Sequence, residues 1–181
     1  TISWHRFHKY SNLWKGRIPE GPNQVWASDI TYIRMDAGTF LYLSLITDVY
    51  SHKIVGWELA DTLRAAITIK ALEQAIAQTG GVSLEGLVHH SDRGVQYCCD
   101  DYVGILKEHS VRISMTEDYN PTDNAIAERT NGIIKTETVY SRKTFNCIEH
   151  ARNVIGRFIH FYNYNRPHMS IGYKTPAVVH M

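Results

Sequence analysis

Apolar and polar positions follow two different periods along this chain, and the switch between them divides it into parts. From Val25 to Arg34 the run is rich in β-favouring residues, with Ile30, Tyr32 and Ile33 together, and reads as a strand. Met35-Asp36-Ala37-Gly38 reads as a turn, and Thr39 to Thr47 as a second strand, almost continuously apolar at its centre. Asp48 to His52 turns the chain again before a third strand from Lys53 to Leu59. Three strands on short turns predict an antiparallel meander. At Thr62 the period changes. Leu63, Ala66, Ile67, Ile69, Leu72, Ala75 and Ile76 recur every three to four residues, which predicts a helix through Gln78. Asp61 or Thr62 caps it and Gly80-Gly81 ends it.

A short strand from Gly86 to His90 comes next, then a helix from Val95 or Gln96 to His109 and a strand from Val111 to Met115. Two more helices are predicted, Asp123 to Thr136 with Asp123 as N-cap, and Cys147 to Tyr162. The order β-β-β-α-β-α-β and then helices predicts an α/β fold of the ribonuclease-H-like kind: a five-stranded mixed sheet with helices on both faces. Residues 1–22 show no clean period and end in Pro-Glu-Gly-Pro, so they read as an N-terminal arm or linker ahead of a core at 23–181. His5 and His8 have metal-ligand spacing but no Cys-x-x-Cys partner, so zinc is not favoured there.

Composition narrows the class. A chain of 181 residues with 44% hydrophobic and 20% charged positions has the makings of one globular domain. Three cysteines, two of them adjacent, make a poor disulfide framework and predict a reduced, cytoplasmic protein. Cys98 and Cys99 read as small buried hydrophobes. No apolar run approaches the length of a membrane span. The net charge of +1 hides an asymmetry: residues 1–128 carry 11 Lys/Arg against 16 Asp/Glu, residues 129–181 carry 8 against 2. An acidic body with a basic C-terminal third suits a metal-dependent enzyme acting on a polyanion.

Three acids stand at the edges of apolar runs: Asp29 in the first strand, Asp92 just past the fourth, and Glu128 on a helix, 36 positions after Asp92. Carboxylates gathered without cations repel one another, and at least one is pushed up. Divalent ions reverse that cost, and Mg²⁺ takes a few carboxylates plus water and phosphate oxygens. The expected arrangement has Asp29 bridging two Mg²⁺ (or Mn²⁺) ions, with Asp92 and Glu128 completing one site each. At 100° per residue, Asn124, Glu128, Asn131 and Lys135 share one helix face while Ile126 and Ile133 point to the core. That face, with Arg129, is where DNA would pass. Asp118 and Asp123 compete with Glu128 for the third place, though Asp123 has a capping task already. The aromatic and basic run from Phe158 to Tyr173 reads chiefly as packing, with Pro167 fixing a turn.

Four stretches complete the picture. Asp29-Ile30-Thr31-Tyr32, His90-Ser91-Asp92-Arg93-Gly94-x-Gln96-Tyr97, Asn120-Pro121-x-Asp123-Asn124-Ala125-x-Ala127-Glu128, and Tyr162-Asn163-x-x-Arg166-Pro167-His168-x-Ser170-x-Gly172-Tyr173-x-Thr175-Pro176 stand in that order. Together they resemble the catalytic core of bacterial insertion-sequence DDE transposases, which is similar to retroviral integrase. The resemblance runs from about Pro22 to Val179. It implies Asp29, Asp92 and Glu128 as the acids, and Lys135 as the basic residue seven positions after the family's Glu. It also implies the chemistry: metal-activated water cuts DNA at the element's end, and the freed 3′-hydroxyl attacks a second phosphodiester, with no covalent enzyme intermediate. DNA is then the partner and self-association is expected. Transposases of this kind begin with helix-turn-helix segments, and nothing before Pro22 is long enough for one, so a core fragment is expected. Its DNA contacts would be salt-sensitive rather than sequence-specific. Competing readings are a ribonuclease-H-like nuclease that cuts without joining, and a catalytically silent DNA-binding or oligomerisation fragment.

Overall fold

A computed structural model describes residues 4–15, 17–36, 38–117, 124–139 and 145–181. The expectations for Asp118 and Asp123 therefore lie outside the described residues. Strands β1 (Val25–Arg34), β2 (Phe40–Asp48) and β3 (Ile54–Ala60) form the antiparallel meander. Strands β4 (Val88–Ser91) and β5 (Arg112–Met115) add to β1 in parallel, giving one mixed sheet in the order β3-β2-β1-β4-β5. As the central strand, β1 is covered on both faces, and its first four residues, Val25 to Ser28, are all buried.

Helices α1 (Ala65–Ala77), α2 (Val95–Cys98) and α3 (Asp100–Glu108) cover one face, where Trp26, Ile46, Ala71, Leu72, Tyr97, Tyr102 and Leu106 meet. Helices α4 (Ala125–Ile134) and α5 (Ile148–Tyr164) cover the other, over Ile33, Leu43, Leu45, Ile134, Ile155 and Ile159. A π-helical turn, Lys135–Val139, prolongs α4, and a short helix α6 (Pro176–His180) closes the chain.

Two helix boundaries and one helix face differ most from the periodicity reading. Helix α1 starts at Ala65 behind Arg64, not at an Asp61 or Thr62 cap. Gln96 Nε2 donates to the Leu63 carbonyl, holding that segment against α2 instead of in the helix. The helix expected to run on to His109 breaks at Cys99, whose extended backbone (φ −67°, ψ 150°) separates α2 from α3. The break lets Tyr97 and Tyr102 both turn onto His89, with ring centroids 6.3 and 5.4 Å away. Helix α4 is rolled relative to the expectation. Ala127, Thr130, Asn131 and Ile134 are its buried positions, and Ile126 and Ile133 are only half-buried. The roll is set by small Ala127 seating among Val25, Ala27, Val49 and Val88, and by Ile134 seating in the core of the α5 face.

Asp48 ends β2 fully buried, and its carboxylate accepts Asn23 N–H (2.7 Å), Ser51 N–H (2.8 Å) and the Ser51 hydroxyl (2.6 Å). Burial alone would raise it, but His180, Ser51 and Asn23 together hold it below the ordinary carboxylate value of 3.8. Asp48→Ala orphans these donors at the turn into β3. We expect a loss of about 2–4 kcal/mol in urea unfolding. A group held down in the fold contributes stability above its unfolded value and loses it as pH falls through the folded one. The wild type should therefore show an added loss of stability below about pH 4 that the variant lacks.

Candidate active site

Asp29 sits on β1 with the parity of Ala27 and Ile33, so it points beneath α4. In the parallel pairing Ala27 lies opposite His90. Two residues further along each chain come Asp29 and Asp92, one still in its strand and the other just beyond it. Gly94 N–H donates to Asp92 Oδ1 at 2.8 Å, which fixes that carboxylate at the mouth of α2. Asn131 reaches from α4 and donates to Asp29 Oδ2 at 2.7 Å, and Asn124 donates to the Ser28 carbonyl at 3.1 Å. The helix is thereby tied to β1 at the acid and at the residue before it.

The Asp29 carboxyl is raised from 3.8 to about 6. Burial is the main cause, the charge of Asp92 the next, and Glu128 adds a smaller push; Asn131 and the Ile30 backbone pull the other way. The structure thus brings Asp29 and Asp92 together and leaves Glu128 exposed at the rim on α4. Among the described residues no three His, Cys, Asp or Glu side chains close into a group able to hold a metal ion. The donor set nonetheless suits a hard cation: oxygen donors of one sign, one of them raised first by burial and then by a like charge that a cation would offset. Asn131 also buries its Oδ1 with no hydrogen-bond partner among the described residues.

Of the other expected contacts, Arg129 is exposed, Lys135 is half-buried, and Asn124 and Asn131 are buried. Periodicity puts both asparagines on one face with Glu128 and Lys135, and in the fold both are buried. Their amide nitrogens are spent on β1. The neighbouring polar groups are structural: burial, then His90, pushes His89 down to about 3, and burial pushes the Cys98 thiol up to about 11, 3.7 Å from the Met115 sulfur. The N-terminal segment straps this edge. Leu13 N–H and His90 Nδ1 both meet the Ser114 hydroxyl, and His5 Nε2 lies 2.9 Å from the Arg93 carbonyl, one residue past Asp92.

Two integrase core domain models match the chain, over residues 19–121 and 109–176. The chain belongs to the integrase core domain family. This integrase core is 34% identical over 162 residues to a putative transposase for insertion sequence element IS986/IS6110 of Mycobacterium tuberculosis, an alignment covering 88% of this chain and 58% of the relative. It is 35% identical over 157 residues to the transposase InsF for insertion sequence IS3A of Escherichia coli, covering 86% and 53%. The integrase core spans a little over half the length of these curated relatives. Its fold matches the HTLV-2 integrase catalytic core domain in complex with magnesium, at a TM-score of 0.71, 19% identity and coverage of 91% and 100%. It also matches a chain of the simian T-cell lymphotropic virus intasome, at a TM-score of 0.74, 24% identity and coverage of 97% and 58%. The ribonuclease-H-like architecture expected from the element order is the one found. No described helix is long and apolar enough to cross a membrane.

Proposed function

We propose that this integrase core performs phosphoryl transfer on DNA for an insertion-sequence transposase. It cuts a phosphodiester at an element's end and passes the freed 3′-hydroxyl to a phosphodiester of a second DNA. One observation supports the reading: Asp29, tied to α4 through Asn131, has its carboxyl raised to about 6, first by burial and then by the charge of Asp92, with a smaller push from Glu128. A fold that keeps like charges at one sheet edge raises its own free energy unless a cation joins them. The magnesium-bound integrase core among the structural neighbours supports the same reading.

Asp29 would hold both of two Mg²⁺ or Mn²⁺ ions, with Asp92 and Glu128 each completing one site. When bound, the ions supply charge stabilisation for the entering and leaving oxygens at phosphorus. The chain's own residues set the geometry. Asn131 fixes the Asp29 side chain from one side, and Gly94 N–H fixes Asp92 from the other. Arg129 and Lys135 would meet phosphate oxygens. Asn124 and Asn131 hold α4 against β1, and their buried Oδ1 atoms keep no hydrogen-bond partner among the described residues. Two DNA ends and a target call for more than one copy, and the intasome match supports an assembly of such cores.

The test is a Mg²⁺ or Mn²⁺ titration tracked by melting temperature, on the wild type and Asp92→Asn, with and without a short DNA duplex. A saturable rise in the wild type that the variant lacks is the expected result. If no rise occurs at millimolar metal even with DNA present, the carboxylate reading is wrong.

A further inference from the structure

The ladder between β1 and β4 ends at the pair Ala27–His90. Asp29 and Asp92 both lie two residues past that pair, where the ladder no longer sets their spacing. Asp92 is held by the turn that opens α2, through the Gly94 N–H at 2.8 Å from its Oδ1. Helix α2 is four residues long, a single turn with too few internal hydrogen bonds to keep its own place. Its position is therefore set by what its side chains meet. On one side Gln96 Nε2 donates to the Leu63 carbonyl at 3.2 Å, ahead of α1. On the other side Tyr97 reaches the strand that carries Asp29.

Tyr97 N–H donates to the Gly94 carbonyl at 3.0 Å, and its hydroxyl lies 3.1 Å from Ser28 Oγ, one residue before Asp29. Both side chains are buried. The Tyr97 ring is wedged edge-on against Tyr102, with centroids 5.4 Å apart, and the Tyr102 hydroxyl is bonded in turn to His89 Nε2 at 2.8 Å. Hydrogen bonds and backbone thus run unbroken from the Asp92 carboxylate through Gly94, Tyr97 and Ser28 to Asp29. Ser28 also ties in the third acid-bearing element. Its carbonyl accepts the amide of Asn124, the N-cap of the helix that carries Glu128, at 3.1 Å. Burial, then Tyr102, Asp92 and Asp29, push the Tyr97 hydroxyl well above its ordinary value of 10.0, so it stays neutral beside the acids.

We propose that Tyr97 is a positioning residue for the carboxylates: its hydroxyl on Ser28 pins α2 to β1 and so sets the distance between Asp92 and Asp29. This role rests on the metal-binding reading of those acids, and one titration tells the two apart. The probe is Mn²⁺, added to the 181-residue chain and its variants with a short DNA duplex present. Melting is followed by tryptophan fluorescence, and each rise is measured from that variant's own melting temperature in chelator, which cancels a general loss of stability. Tyr97→Phe keeps the ring and loses only the hydroxyl. It should need about tenfold more Mn²⁺ than the wild type for a given rise.

Ser28→Ala removes the same bond from its other end and should shift the Mn²⁺ curve alike. The double variant should need no more Mn²⁺ than the worse single. Ile113→Val takes one methyl from the same buried core and touches no member of the path. It should melt lower in chelator yet follow the wild-type Mn²⁺ curve. A wild-type curve in Tyr97→Phe would overturn the proposal. So would losses that add in the double variant, or an equal shift in Ile113→Val, which would make the effect one of a softened core. No rise in the wild type would instead defeat the carboxylate reading, and with it any part for Tyr97 in holding metal.

Discussion

Asp29→Asn should make the metal-free chain more stable at neutral pH while abolishing metal-dependent DNA cutting. The two effects have one cause. In the folded chain the Asp29 carboxyl is raised from 3.8 to about 6, first by burial, then by Asp92. A group raised in the fold contributes its stability below the unfolded value and loses it as pH rises through the folded one. Above about pH 6 the wild type therefore bears the full cost of an ionised Asp29, on the order of 1–3 kcal/mol. Asparagine has the same shape and no charge. The variant should melt about 3–8 °C higher than the wild type in chelator at neutral pH, and the gain should shrink as pH falls from 6 towards 4. Magnesium should reverse the order by raising the wild type alone. Nicking of labelled duplex with Mn²⁺ should fall on the order of a hundredfold or more in the variant. A variant that cuts like the wild type, or that melts lower in chelator at every pH, would remove Asp29 from the centre of the site.

The strands were legible because each signal was local. β1 matched its periodicity reading from Val25 to Arg34, and β2 and β3 fell within a residue or so of theirs. The starts and breaks of helices were not legible, because they depend on partners far away in sequence. The Leu63 carbonyl is taken by Gln96, 33 residues on, and no window around Thr62 contains that fact. Cys99 lies in a run that reads as continuous helix, and the break there is set by two tyrosines converging on His89.

The charged groups of the candidate site could be named from the sequence, and the neutral groups around them could not. One acid in the first strand, one just past the fourth and a third on a helix come from pattern and from the resemblance together. Asn131 was found on the right face, yet its bond to Asp29 depends on how far α4 rolls, which small Ala127 and Ile134 decide by packing. The grip of Arg166 on Glu137 spans 29 residues and joins two segments whose sequence signals were read separately. The π turn that carries Glu137 has no periodicity signature at all, since one widened turn leaves the helix before it unchanged and displaces only the residues after it.

Gly56→Ala should be the most damaging single methyl in the chain. Gly56 lies on β3 opposite Ile46, on the face that α1 covers. A Cβ built there would lie inside the Ala71 carbonyl oxygen and only 3.1 Å from the Ala75 methyl. The obstacle is helix backbone, so no rotamer change relieves it. Either α1 lifts from the sheet along its Ala71–Ala75 seam, or β3 pulls away from β2. Lifting α1 opens the packing of Leu72 and Ala75 over Trp26 and Ile46, where every one of these side chains is fully buried. The expected cost is about 3 kcal/mol or more, which for a domain of this size lowers the melting temperature by roughly 6–12 °C. Gly156→Ala is the matched control. Its Cβ would meet only ring atoms of Trp57, at 3.2 and 3.3 Å, and that half-buried side chain can move aside. Equal melting temperatures for the two variants would mean that α1 does not rest on β3 as closely as Gly56 requires.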